Sequence, residues 1–148
     1  MKRRKYEIGK VWEIKDVGGN EYFLGMQVQQ DLKQGMIRFT QHPYWEHVLN
    51  RFSLENITPR NTPLPVRIIL DNNMCPKTDS ERKQMEDKLY CPILGSVMWG
   101  QLATRPDLSF SVSLLARFQS NPRIEHWNAL LHVVGYIKNM IDYGLTYY

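Results

Sequence analysis

Residues 94–118 read LGSVMWGQLATRPDLSFSVSLLARF, two stretches of helical spacing joined at one sharp corner. Leu94, Val97, Met98, Gln101 and Leu102 recur at steps of three and four, which places four apolar side chains on one stripe of a helix. Leu108, Val112, Leu115 and Ala116 repeat the pattern beyond the corner. Pro106 fixes its own φ and pushes Arg105 away from helical geometry, while the Asp107 carboxylate can accept from the unpaired amides of the second helix. Arg105 and Asp107 also read as a pair that holds the elbow at 104–107.

Downstream, Trp127, Leu130, Leu131, Val134 and Ile137 mark a third helix over 124–140. Burying those five at roughly 1.5–3 kcal/mol each outweighs the roughly 1 kcal/mol that Gly135 costs inside a helix. Gly144 ends it, and 145–148 reads as the start of a strand. Upstream, Tyr90-Cys91-Pro92 opens the first core helix, and Thr78-Asp79-Ser80-Glu81 is a capping box that opens a short charged helix. Pro59, Pro63, Pro65 and Pro76 rule out a long helix over 53–77, with 67–70 as an extended segment. Pro43 followed by Tyr44, Trp45, Val48, Leu49 and Phe52 gives a helix of about ten residues. Before it, a strand over 22–28 sets Tyr22, Leu24, Met26 and Val28 on one face, and a second over 36–40 sets Ile37 and Phe39 on one face. The two make an antiparallel hairpin. Gly18 and Gly19 break the chain ahead of it, after a short amphipathic helix carrying Ile8, Val11 and Trp12 and ending near Asp16. The fold class expected is α+β: a short N-terminal antiparallel β-hairpin with flanking helices, then a mainly helical C-terminal lobe.

The chain has 148 residues, 43% of them hydrophobic and 23% charged, enough for a buried core. No apolar run approaches the roughly 18 residues that cross a bilayer, so no membrane segment is read. Lys2, Arg3, Arg4, Lys5 and Lys10 form a basic start with no apolar stretch behind it, which does not fit a signal peptide. An intracellular location follows, with cytoplasm and nucleus not distinguished. Cys75 and Cys91 make no C-x-x-C and read as free thiols. His42, His47, His126 and His132 match no metal or triad spacing and read as structural or surface groups. The net charge of +4 permits an anionic partner without demanding one.

A set of motifs in order carries more than any of these alone. They are Tyr22-Phe23-Leu24-Gly25, Phe39-Thr40-Gln41, Thr62-Pro63-Leu64-Pro65, Gly95-Ser96-Val97-Met98-Trp99, Thr104-Arg105-Pro106-Asp107, Ala116-Arg117-Phe118, Pro122 with His126-Trp127, and Tyr143-Gly144-Leu145. In this order and spacing the chain resembles the C-terminal part of the reverse transcriptase of Ty1/copia-type retrotransposons, over nearly everything after Lys10. It departs from that pattern at Cys91, where the family often has a basic residue, and at Asn139-Met140, where it has Gly-Thr.

The resemblance implies a division into 1–66 (end of the palm, primer-grip-like hairpin and first thumb helix), 67–88 (linker with the short charged helix) and 89–148 (helical thumb and connection lobe). By it, Tyr22, Phe23, Leu24, Gly25 and Met26 correspond to the primer grip. Arg38, Arg51, Arg60 and Lys138 are the basic candidates for phosphate contacts. The family's polymerase Asp-Asp pair lies upstream of the Phe-Leu-Gly strand, its ribonuclease H carboxylates lie downstream, and no adjacent Asp-Asp occurs here. The chain therefore has no catalytic or metal-binding residue of its own by this reading, and the Mg²⁺ belongs to the intact parent enzyme. What it implies for the chain is weak binding of an RNA/DNA or DNA duplex beside the missing palm and ribonuclease H domains. The alternative is a non-functional or repurposed transposon relic acting as a protein-interaction module, because a hairpin without its palm exposes an apolar face and an unpaired edge that favour self-association.

Overall fold

The computed structural model describes residues 2–13 and 21–148. In chain order the elements are α1 (Lys2–Gly9), β1 (Tyr22–Phe23), β2 (Met26–Asp31), β3 (Met36–Thr40), α2 (His42–Arg51), α3 (Asp79–Lys83), α4 (Tyr90–Ala103), α5 (Ser109–Ala116), α6 (Ile124–Asn139) and β4 (Gly144–Tyr147). Short 3₁₀ turns occupy Asn72–Met74 and Pro106–Leu108. The class is α+β, as expected. The helix end near Asp16 and the glycine break at Gly18-Gly19 lie outside the described residues.

The four strands form one antiparallel sheet in the order β1-β2-β3-β4. The expected terminal strand is complete and pairs with β3, Ile37 opposite Tyr147 and Thr40 opposite Gly144. β4 thus covers the outer side of β3, while from Gln29 onward the other edge of β2 pairs with no strand among the described residues. On the other side β1 covers only Met26 and Gln27 of β2. Register alone sorts the side chains: Met26, Val28, Gln30, Ile37, Phe39, Leu145 and Tyr147 share one face, and Gln27, Gln29, Asp31, Met36, Arg38, Thr40 and Thr146 the other.

The core lies among the helices, where Trp45, Val48 and Leu49 of α2 join Tyr90, Ile93, Leu94 and Val97 of α4, Val112 and Leu115 of α5, and Leu130, Val133, Val134 and Ile137 of α6. On α4 the expected stripe is half right. Leu94 and Val97 are buried, but Met98 and Leu102 point outward and Ile93 takes their place, because α4 rolls to seat Gly100 on Trp45. On α6 Leu130, Val134 and Ile137 are buried, with Trp127 and Leu131 at the margin. Gly135 reflects a close approach: a Cβ there would lie 2.5 Å from the Thr58 carbonyl oxygen.

The capping box at Thr78 forms as expected, with the Glu81 amide donating to Thr78 Oγ1 (3.3 Å) and the Thr78 amide to Glu81 Oε2 (3.2 Å). No strand forms at 67–70, where Arg67 adopts φ 61°. At the elbow the expected Arg105–Asp107 pair forms and the expected cap does not. Neither the turn at Pro106 nor α5 has a side-chain cap; the Asp107 carboxylate instead accepts from Arg105 Nε and Nη2 and from Tyr136 Oη.

His126 starts α6 and is fully buried, its Nδ1 accepting the Arg123 amide (2.9 Å) and its ring stacked on Phe118. Burial holds its pKa below the usual histidine value, Arg123 adding to this while Glu125 and Asp71 oppose it. Between the lowered folded value and the unfolded value near 6.5 the unfolded chain binds more protons, so stability falls as pH drops below about 6.5. We expect urea midpoints to decrease from pH 7.5 to pH 5 and His126→Phe to flatten that change between pH 6.5 and 5. An unchanged pH profile in that variant assigns the acid sensitivity elsewhere.

Candidate nucleic-acid interface

The residues 22–26 do not continue as one strand. Leu24 (φ 50°) and Gly25 (φ 78°) both lie in the left-handed region, the requirement of a type I′ two-residue turn, and the chain reverses between Phe23 and Met26. Glycine takes this conformation freely, whereas leucine is strained in it. The Val28 amide donates to the Glu21 carbonyl (2.8 Å) and closes the hairpin. The expected face of Tyr22, Leu24, Met26 and Val28 is therefore corrected: Phe23 lies opposite Met26, on the apolar side, and Tyr22 opposite Gln27, on the polar side.

The turn projects its side chains into solvent, Tyr22 at 58%, Phe23 at 52% and Leu24 at 64% exposure, so none of them serves the core. Gln27 Nε2 donates to Tyr22 Oη (2.9 Å), which orients the phenol over the strand. Arg38 of β3 shares this polar face and donates from Nη2 to the Asp142 carbonyl (2.9 Å). An aromatic, two glutamines and a guanidinium thus line one side of the sheet. The glutamines at 27 and 29 were not singled out from the sequence, although their alternation with Met26 and Val28 is visible there.

The other basic candidates lie elsewhere. Arg51 is exposed at the end of α2, its guanidinium 5.4 Å from the ring of Phe52. Arg60 is exposed on the stretch that crosses α6, where its amide donates to the Gly135 carbonyl (3.1 Å). Lys138 Nζ donates to the carbonyls of Glu55 (2.6 Å) and Ile57 (3.0 Å), so its ammonium ties that same stretch to α6. The structure brings Tyr22 and Arg38 onto one face and places Arg60 and Lys138 on a second seam.

Where the sheet meets the helices, His42 joins two carboxylates. Its Nδ1 lies 2.6 Å from Asp142 Oδ1 and its Nε2 3.3 Å from Glu46 Oε1. The hydrogen bond that the protonated His42 ring donates to the Asp142 carboxylate is the main reason its pKa is raised, partly offset by burial. Among the described residues no three His, Cys, Asp or Glu side chains come together as a metal site. These residues do not make the carboxylate clamp of two-metal phosphoryl transfer. Among the described residues no helix is long and apolar enough to cross a membrane.

An α+β chain with an exposed aromatic hairpin on a small sheet is the class that this geometry defines. Comparison with known proteins narrows it. The chain is 34% identical over 134 residues to the Retrovirus-related Pol polyprotein from transposon TNT 1-94 of Nicotiana tabacum, matching 90% of this chain and 10% of the polyprotein. It is 28% identical over 140 residues to an uncharacterized mitochondrial protein of Arabidopsis thaliana, covering 95% of this chain and 54% of that one. It is also 28% identical over 146 residues to the putative transposon Ty5-1 protein of Saccharomyces cerevisiae, 98% and 45% of the two chains. No family model and no solved structure matches the chain. Its homologues are Pol polyproteins of Ty1/copia-type retrotransposons, and the resemblance read from the motifs holds at that level.

Proposed function

We propose that the chain corresponds to the primer-grip, thumb and connection part of a copia-type reverse transcriptase, and that its own activity is weak, sequence-independent binding of an RNA/DNA duplex. The observation that carries this is the hairpin tip. Tyr22, Phe23 and Leu24 are held out of the core on a strained two-residue turn, with Tyr22 on the same sheet face as Arg38. Exposed aromatics stack on bases or sugars, and a nearby guanidinium meets phosphate. The similarity to Pol polyproteins supports the reading. Catalysis and its Mg²⁺ belong to the parent's carboxylates, outside this chain.

Filter binding with a labelled RNA/DNA hybrid at low salt tests it. We expect a complex at tens of micromolar protein that weakens as salt rises. Tyr22→Ala should weaken it by about fivefold or more, the loss of one stacking contact of roughly 1–3 kcal/mol. No binding at those concentrations sinks the proposal. A second reading, the repurposed relic that binds another protein, is favoured by the sheet's apolar face, because none of its apolar residues joins the helical core.

A further inference from the structure

Helix α4 is apolar all the way round. Its sequence, YCPILGSVMWGQLA, contains no Asp, Glu, Lys, Arg or His. One face is used up by the core through Tyr90, Ile93, Leu94, Val97 and Gly100. On the other, Gly95, Met98, Trp99 and Leu102 follow one another at helical steps along one stripe. Met98 is 37%, Trp99 46% and Leu102 74% exposed, and a Cβ placed on Gly95 would meet nothing within 4 Å. A helix apolar on both faces is ordinarily buried on both.

We infer that this stripe pairs, reversibly, with the same stripe on a second copy of the chain. Charge argues for that occupant. A nucleic acid needs basic residues on the docking face and a charged peptide needs their opposites, and the stripe supplies neither. Two copies with a net charge of +4 each approach with least repulsion at an uncharged face, where burial strands no ion. Shape agrees. An antiparallel pair about a twofold axis beside Val97 sets Gly95 against the partner's Trp99 and Trp99 against the partner's Gly95, a knob and a gap one helical turn apart. Leu102 then meets the partner's Pro92. The stripe is a few side chains, small beside the roughly 800 Å² per partner typical of a stable complex, so the pairing is transient.

Sedimentation velocity on the whole chain at physiological salt, from about 5 to about 500 µM, tests this. We expect the weight-average mass to climb from monomer toward dimer across that range. Trp99→Glu and Leu102→Glu should each stay monomeric while keeping the wild-type circular dichroism melt, and Tyr147→Glu, on the sheet, should associate like wild type. Met98→Lys serves as an independent variant if either glutamate variant melts early. A wild-type chain that stays monomeric throughout overturns the inference. So does association that survives both glutamate variants but is lost in Tyr147→Glu, since the sheet is then the interface. A Leu102→Glu variant that associates normally but loses hybrid binding overturns it too, by giving the stripe to nucleic acid.

Discussion

Asp107→Ala is expected to lower the unfolding free energy by about 3 kcal/mol in urea denaturation, more than the roughly 0.5–2 kcal/mol of a lost helix cap. The reason is Arg105, which is 1% exposed. Its Nε lies 3.0 Å from Asp107 Oδ1, its Nη2 2.9 Å from Asp107 Oδ2, and its Nη1 donates to the Met140 carbonyl (3.0 Å). The rings of Tyr136 and Tyr143 flank the guanidinium at 5.4 and 5.5 Å. Without the carboxylate a buried cation keeps a single carbonyl, and Tyr136 Oη loses its acceptor. The Asp107 side chain is itself 35% exposed, which admits water and keeps the loss at the lower end for a broken buried pair. Asp107→Asn retains an acceptor and should lose about half as much.

The same pair responds to acid. Burial pushes the Asp107 pKa up, but hydrogen bonds and charge from Arg105, with the Tyr136 hydroxyl, hold it below the ordinary value of 3.8. Its contribution is therefore present above about pH 3.8 and lost as pH falls through the lower folded value. Hybrid binding per folded molecule should be unchanged in Asp107→Ala, because the elbow supports the helices and the proposed contact lies at the hairpin. A variant within about 0.5 kcal/mol of wild type would show that the network is ornamental.

Gly100→Ala is the second large effect, an expected net loss of about 2 kcal/mol, the upper end of overpacking less the gain from replacing a helical glycine. An added Cβ would overlap Cζ2 and Cη2 of Trp45, whose side chain is buried to 1% exposure and has nowhere to swing. Overpacking of this kind costs roughly 1–3 kcal/mol and occasionally more, against roughly 1 kcal/mol gained from replacing a helical glycine. The double variant with Trp45→Phe isolates the cause. Shrinking the indole should cost less in the alanine background than in wild type, and strict additivity of the two changes would exclude the clash.

Much of the helical framework was legible because its signals are local. The proline at Pro43, the box at Thr78 and Glu81, and the spacing over 124–140 each predict an element that is present. The first strand was misread because alternation of Tyr22, Leu24, Met26 and Val28 looks like a pleat, while positive φ at Leu24 carries no sequence signal as Gly25 does. The candidate interface was legible as a segment and not as a face. Tyr22 and Arg38 fall on one face through two hairpin registers, and Lys138 is drawn off to Glu55 and Ile57 by contacts more than eighty residues apart in sequence.

Local sequence determined where helices start and stop, since a proline's fixed φ, a capping hydroxyl and a 3.6-residue apolar repeat act within one or two turns. It also carried the likeness to Pol polyproteins, 34% identity over 134 residues with one of them. Only the tertiary structure decided which side of α4 faces the core, because a helix without a charged residue has no preferred side until Gly100 meets Trp45. The Arg105–Asp107 pair was legible at the elbow, but only the tertiary structure brought Tyr136 and the Met140 carbonyl to it, since both lie about thirty residues further along the chain.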